Sequence, residues 1–177
     1  SGVDASASTN ESRIASGSNF YYDGGGTSTP TVTQDADSTG TDGDYTWYKW
    51  TATGTGSYNT DTTQDHEYLV VAGGAGYNYG GGGGAGGYLA ATGLSLTGGN
   101  TYTPNVGAGG GGSSSGSTPG TNGSDTVLSG TGITTLTTTG GGGGGASDGS
   151  SGFDGGDGGS GGGAGSRNGS PFGTPGD

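Results

Sequence analysis

ITTLTTTGGGGGG, residues 133–145, decides the fold. β-branched residues dominate its first half, so strand is the favoured conformation. The chain then enters six consecutive glycines, Gly140 to Gly145. Glycine loses more conformational entropy on folding than any other residue. A run of six is therefore either disordered or held where close backbone packing offsets that cost.

Working outward, the same transition occurs twice more. EYLVVAGG (67–74) runs from strand-forming residues into Gly73, and TYTPNVG (101–107) runs into Gly107. From Gly73 to Gly107 is 34 residues, and from Gly107 to Gly140 is 33. Near-constant spacing of that size indicates stacked or packed units. A glycine run has one regular form that suits packing, the polyproline-II-like helix with three residues per turn and no internal hydrogen bonds. Its N–H and C=O groups all point outward, and neighbouring helices can satisfy them. The expected fold is all-β with polyglycine segments of this kind and essentially no α-helix, since no window combines a 3.6-residue apolar period with freedom from glycine. Strands are expected over 45–60, 67–72, 101–106 and 133–139. Disorder is the alternative that the composition allows.

Composition limits function as well as fold. The hydrophobic fraction is 24%, about half the usual share, so a conventional core must be small. Net charge is −12, with Arg13, Lys49 and Arg167 the only cations, which argues against a nucleic-acid partner and against anionic membranes. No apolar stretch approaches membrane-spanning length. Cysteine is absent, so no disulfide, thiol nucleophile or Cys-ligated metal is possible.

Residues 1–44 are polar and acidic apart from Phe20-Tyr21-Tyr22 and a short strand candidate at Thr31-Val32-Thr33. They are expected to form an extended arm, with residues 45–177 as the glycine-rich β domain. Such an arm cannot build its own core against a backbone ordering cost of about 1–2 kcal/mol per residue. It can gain order by adding a strand to a neighbouring subunit. In YTWYKW (45–50), period-2 alternation puts Tyr45 and Trp47 on one face, Tyr48 and Trp50 on the other.

Several elements in order resemble the glycine-rich domain of bacteriophage tail fibres and tail-associated adhesins: YLVVAGG (68–74), Gly80–Gly87 with Tyr88-Leu89, GLSL (93–96), Tyr102–Gly112 and Gly140–Gly145. The likeness spans about residues 45–165. It implies packed polyglycine helices whose distal loops contact a receptor on a bacterial surface. Relatives usually continue through more glycine runs and close on a short apolar strand, whereas this sequence ends at Pro175-Gly176-Asp177; residues 1–44 have no counterpart in the resemblance.

The candidate sites follow. Tyr77, Asn78 and Tyr79, with Phe153 and Phe172, are aromatic or amide residues set among glycines, and suit contact with a receptor protein or glycan. Packing over the edge of the glycine bundle is their other reading. Asp148, Asp154 and Asp157 could offer oxygen ligands to calcium, as could Asp35, Asp37, Asp42 and Asp44. No recognised calcium loop is present, and solvated acidic loops are the favoured reading. Asn10, Asn122 and Asn168 open glycosylation sequons. His66, the single histidine, is expected in a solvated loop before a strand rather than as a base or metal ligand. No nucleophile elbow supports a Ser-His-Asp triad.

The function expected is non-enzymatic, structural and adhesive, without a cofactor. It would be extracellular, in a virion tail fibre or a cell-surface filament. The alternative is a filament subunit whose main function is assembly, with glycosylation possible. A third expectation, weaker on its short Thr-x-Thr patterns, is ice binding. The partners expected are copies of the chain itself, as a trimeric fibre or a head-to-tail filament, and a cell-surface protein or glycan.

Overall fold

The computed structural model describes residues 19–22 (as backbone), 30–78, 80–147, 153–165 and 173–177. Eleven strands lie among them: β1 Asn19–Tyr22, β2 Val32–Gln34, β3 Ser38–Asp42, β4 Tyr45–Lys49, β5 Gly54–Thr55, β6 Tyr58–Thr60, β7 Gln64–Val71, β8 Tyr88–Leu96, β9 Thr101–Val106, β10 Thr126–Gly130 and β11 Leu136–Thr138. They form two antiparallel sheets, ordered β3-β4-β1-β7-β8 and β11-β10-β9-β6-β2, with β5 also on β9. The described residues contain no helix, as an all-β fold requires.

Alternation along the strands builds the core. His66, Tyr68 and Val70 of β7 point inward, as do Tyr102, Pro104 and Val106 of β9. Tyr48, Trp50, Tyr58, Leu96 and Leu128 join them in one buried cluster drawn from both sheets. The tyrosines and Trp50 meet edge to face, Tyr48 on Tyr58 at 5.4 Å and Trp50 on Tyr58 at 6.3 Å. Few residues thus fill the core, because most are aromatic and large. Trp47 lies on the other face, over its ladder partner Gly40, where a Cβ would collide with the indole.

The structure departs from the expected strands in three places. Residues 45–60 are not one strand. The chain leaves β4, buries Trp50, and crosses to the second sheet as β5 and β6. Asp37 directs this crossing by accepting from the backbone N–H groups of Thr51 and Ala52. β8 and β10 were not anticipated; their glycines and short polar residues mask a strand pattern that pairing with β7 and β9 restores. The described part of residues 1–44 lies inside the body, with β1 between β4 and β7, β2 on β6 and β3 on β4.

The glycine runs extend the strands without a break. Eight extended rods can be traced from hydrogen bonds that recur every third residue: I (72–78), II (81–87), III (107–113), IV (119–125), V (139–146), VI (153–159), VII (160–165) and VIII (173–177). That period is the signature of a three-residue turn. β7 continues into rod I, rod II into β8, β9 into rod III, rod IV into β10, and β11 into rod V. Odd-numbered rods run away from the sheets and even-numbered rods return.

Rod V, the six-glycine run, is central and buried from Gly140 to Ala146. Its N–H groups point in three directions. Gly141 and Gly144 donate to Gly73 and Gly76 of rod I, and Gly142 and Gly145 donate to Ser160 and Gly163 of rod VII, at 2.8–3.0 Å. Gly140 and Gly143 donate to the side chains of Asp125 (2.8 Å) and Asn122 (2.7 Å) on rod IV. Its carbonyls accept from rod II (Gly84, Gly87), rod IV (Gly120, Gly123) and rod VI (Phe153, Gly156, Gly159). Every direction around rod V is therefore filled. A Cβ at any of Gly140–Gly145 would strike a neighbouring carbonyl, which is why these six consecutive positions of rod V are all glycine. Rod IV lies at the edge and needs only Gly120 and Gly123, three apart, on its inward face.

A candidate functional site at the bundle tip

The direction of the rods places their reversals. Rods I to II, III to IV, V to VI and VII to VIII all turn at the end remote from the sheets, and only VI to VII turns near them. Four chain reversals thus share one end. Described residues tie three of them together. Ser113 N–H donates to Tyr77 C=O at 2.9 Å, and Ser147 N–H donates to Gly116 C=O at 2.7 Å. Asn78 Nδ2 donates to the carbonyls of Ser115 (2.6 Å) and Thr118.

The sequence candidates divide here. Tyr77 is 66% exposed, and its ring edge lies beside Gly112, leaving much of the aromatic surface to solvent. Phe153 is 37% exposed at the start of rod VI, at the same end. Asn78 is 4% exposed and spends its amide on the Ser115–Thr118 turn, so it supports the tip rather than facing out from it. Tyr79 and Phe172 lie outside the described residues. The Ser113–Thr118 loop, unnoticed in the sequence, is part of the same tip; the signal was its position between two glycine runs that have to pair. Ser115 and Ser117 share a hydroxyl hydrogen bond there at 3.1 Å. No described tip residue among 77–80, 113–118, 147 and 153 is charged.

Of the remaining candidates, Asp35, Asp37, Asp154, Asp157 and Asn122 hold the scaffold. Asp154 Oδ1 accepts from Thr174 N–H at 2.6 Å and Asp157 Oδ1 from Asp177 N–H at 2.9 Å, so the pair, three apart, binds rod VIII. The Thr174 bonds hold the Asp154 carboxyl below the usual carboxylate range. Asp148 lies outside the described residues. Asp35 accepts from Trp50 Nε1 and from Ser57 N–H, both at 2.7 Å, and its carboxyl is lowered chiefly by the Trp50 bond. Asp37 is lowered by its bonds from Thr51 and Ala52. Both aspartates line a cleft of about 100 Å³ together with Trp50 and residues 52–56. Asp42 and Asp44 are exposed on either side of the tight β3–β4 turn at Gly43 (φ 62°). Among the described residues no three His, Cys, Asp or Glu side chains are grouped to hold a metal ion. Asn122 is also structural. Its Oδ1 serves Gly143, and its Nδ2 donates to Asp157 C=O at 3.1 Å. Asn10 and Asn168 lie outside the described residues.

His66 corrects the expectation of a solvated loop. It belongs to β7, is 1% exposed and sits in the sandwich core. Nε2 is 3.0 Å from Tyr58 Oη, and Nδ1 is 3.1 Å from Gln64 C=O. Nδ1 therefore donates to the carbonyl, and Nε2 accepts from the phenol. Burial, the dominant cause, lowers its pKa to about 4. The imidazole is a neutral packing group, held from solvent.

A family described as a glycine-rich domain matches residues 51–177. No curated protein and no solved structure matches the chain. The matched span begins at the crossing to the second sheet and takes in all eight rods. The chain belongs to this glycine-rich domain family.

Proposed function

We propose that this is a non-enzymatic, extracellular, structural and adhesive protein. In this reading it is a domain like those of phage tail fibres, which presents the bundle tip to a protein or glycan on a bacterial surface. The observation that carries the reading is the gathering of four reversals at one end of a rigid bundle. Recognition gains from loops fixed on a stiff support, because less ordering is left to occur on binding. The described tip presents Tyr77 beside a serine-rich loop, a combination of aromatic anchor and adaptable hydroxyls found in binding loops.

The test is binding of fluorescently labelled protein to a panel of intact bacteria, read by flow cytometry. Binding to at least one strain, weakened tenfold or more by Tyr77→Ala with an unchanged melting temperature, supports the reading. Cell binding that survives Tyr77→Ala combined with Ser114→Lys and Ser117→Lys, two exposed loop positions, overturns it, as does a panel with no bound strain.

A second reading, a filament subunit whose function is assembly, draws on β8. This nine-residue strand is the edge of its sheet and carries no charge to blunt association. Polymers visible by electron microscopy, with no cell binding, would favour it.

A further inference from the structure

We propose that β1 is exchangeable between copies of this chain, so that residues 19–22 of one molecule fill the slot between β4 and β7 of another. The argument starts from sheet order. β3 and β4 form a hairpin through Gly43, and β7 and β8 form a second antiparallel pair. Only β1 joins them. Without it, β4 and β7 face each other across two ladder spacings, about 9–10 Å, each with an unpaired inner edge. The slot accepts an extended strand running antiparallel to both sides, as β1 does.

Register picks out what the slot reads. β1 pairs with β4 from Asn19↔Lys49 to Tyr22↔Thr46, and with β7 at Asn19↔Leu69 and Phe20↔Tyr68. Phe20 is thus the register partner of both Tyr48 and Tyr68, two residues of the buried core. Phe20-Tyr21-Tyr22 is also the only aromatic sequence in residues 1–44. The occupant is an aromatic strand on a polar tether, and its ladder bonds are identical whichever copy supplies it. What selects the source is the tether and the protein concentration, the condition under which exchange of an identical element is a low-cost route to assembly. The return path from Tyr22 to β2 in the opposite sheet has nine residues, 23–31. Shortening it penalises only the strand supplied from within the same chain. The exchange operates whether or not the tip binds a receptor.

The native chain has no cysteine, so introduced thiols report without background. Chains carrying Asn19→Cys are mixed with chains carrying Lys49→Cys, unfolded together, refolded at a range of concentrations and mildly oxidised. Directly opposed residues of an antiparallel pair lie within disulfide reach. Tyr22→Cys with Thr46→Cys is a second, independent pair. The expected result is a disulfide-linked heterodimer on non-reducing gels, rising at least tenfold in yield across the concentration range. Deletion of Gly24–Gly26 should raise it further. The proposal fails if neither pair gives heterodimer while a double variant with both cysteines in one chain closes internally and remains monomeric by light scattering. It fails equally if that double variant does not close and no heterodimer forms, since β1 then does not occupy the slot.

Discussion

Replacing Gly143 with alanine tests the packing of the bundle at its centre. The added Cβ would lie 2.8 Å from the carbonyl carbon of Gly120 and 3.1 Å from that of Thr121, with the Gly120 oxygen nearer still. Ordinary contact begins at 3.4 Å, so rod IV has to retreat by at least 0.6 Å (3.4 − 2.8). The bonds from Gly120 to Gly144 and from Gly123 to Gly141, each 2.9 Å, then reach 3.5 Å (2.9 + 0.6), the limit of hydrogen bonding, and the oxygen demands more. The Asn122–Gly143 bond of 2.7 Å is strained with them. Three interactions at about 1 kcal/mol each give a loss of about 3 kcal/mol. Alanine returns about 0.4–1 kcal/mol by restricting the unfolded chain. The net expectation is destabilisation of about 2–3 kcal/mol, or about 4–12 °C in melting temperature for a chain of this size.

Gly82→Ala is the control. Its Cβ would meet nothing within 4 Å, and Gly82 is exposed in rod II. The same chemical change should there be neutral or stabilising by up to about 1 kcal/mol. Urea unfolding of both variants, with the slope checked for constancy, gives the comparison. Equal midpoints for the two variants would refute a bundle whose spacing is set by backbone contact.

Other expectations concern protons, brackets and metal. The depressed pKa of His66, about 4 against an ordinary 6.5, means that the unfolded chain binds a proton first as pH falls. Stability is then full above pH 6.5 and falls as pH drops toward 4, by about 3 kcal/mol in all at 1.36 kcal/mol per unit; His66→Gln should flatten urea midpoints across that window. The Asp35, Asp37 and Asp154 carboxyls, all lowered, contribute stability that is present above their ordinary value and lost at still lower pH, so two separate acid phases are expected. Asn122→Ala leaves Gly143 N–H and Asp157 C=O without their side-chain partner and should cost about 1–3 kcal/mol, read by urea unfolding. Mass spectrometry should find Asn122 unglycosylated, and an occupied Asn122 would contradict its bracket role. Chelation with EDTA should leave the melting temperature unchanged, since Asp154 and Asp157 bind backbone N–H groups; a marked fall would assign them to calcium.

The sequence displayed the strand-to-glycine transitions and the three-residue logic of the rods. β9 was legible to the residue, because Tyr102, Pro104 and Val106 alternate cleanly. β8 was hidden, since YLAATGLSL carries a glycine at φ 75° and gains its identity from β7. The tip was partly legible through Tyr77, but the inward turn of Asn78 depends on a loop 37–40 residues further on. Asn122 read as a sequon because nothing local reveals that Gly143 needs its oxygen. His66 read as solvated from its acidic neighbours, while strand parity, two residues before Tyr68, carried the true signal.

Rod V also has a mechanical meaning. If one end of the molecule is anchored through the sheets and the other is pulled through the tip, the load runs along the rods. The bonds that hold rod V lie across that direction and reach rods I, II, IV, VI and VII. Sliding it out would shear them together rather than open them one after another as in an unzipping hairpin. A bundle with almost no hydrophobic side chains can therefore be stiff and resist extension, because the load passes from the tip into bonds made by backbone atoms rather than by side-chain packing.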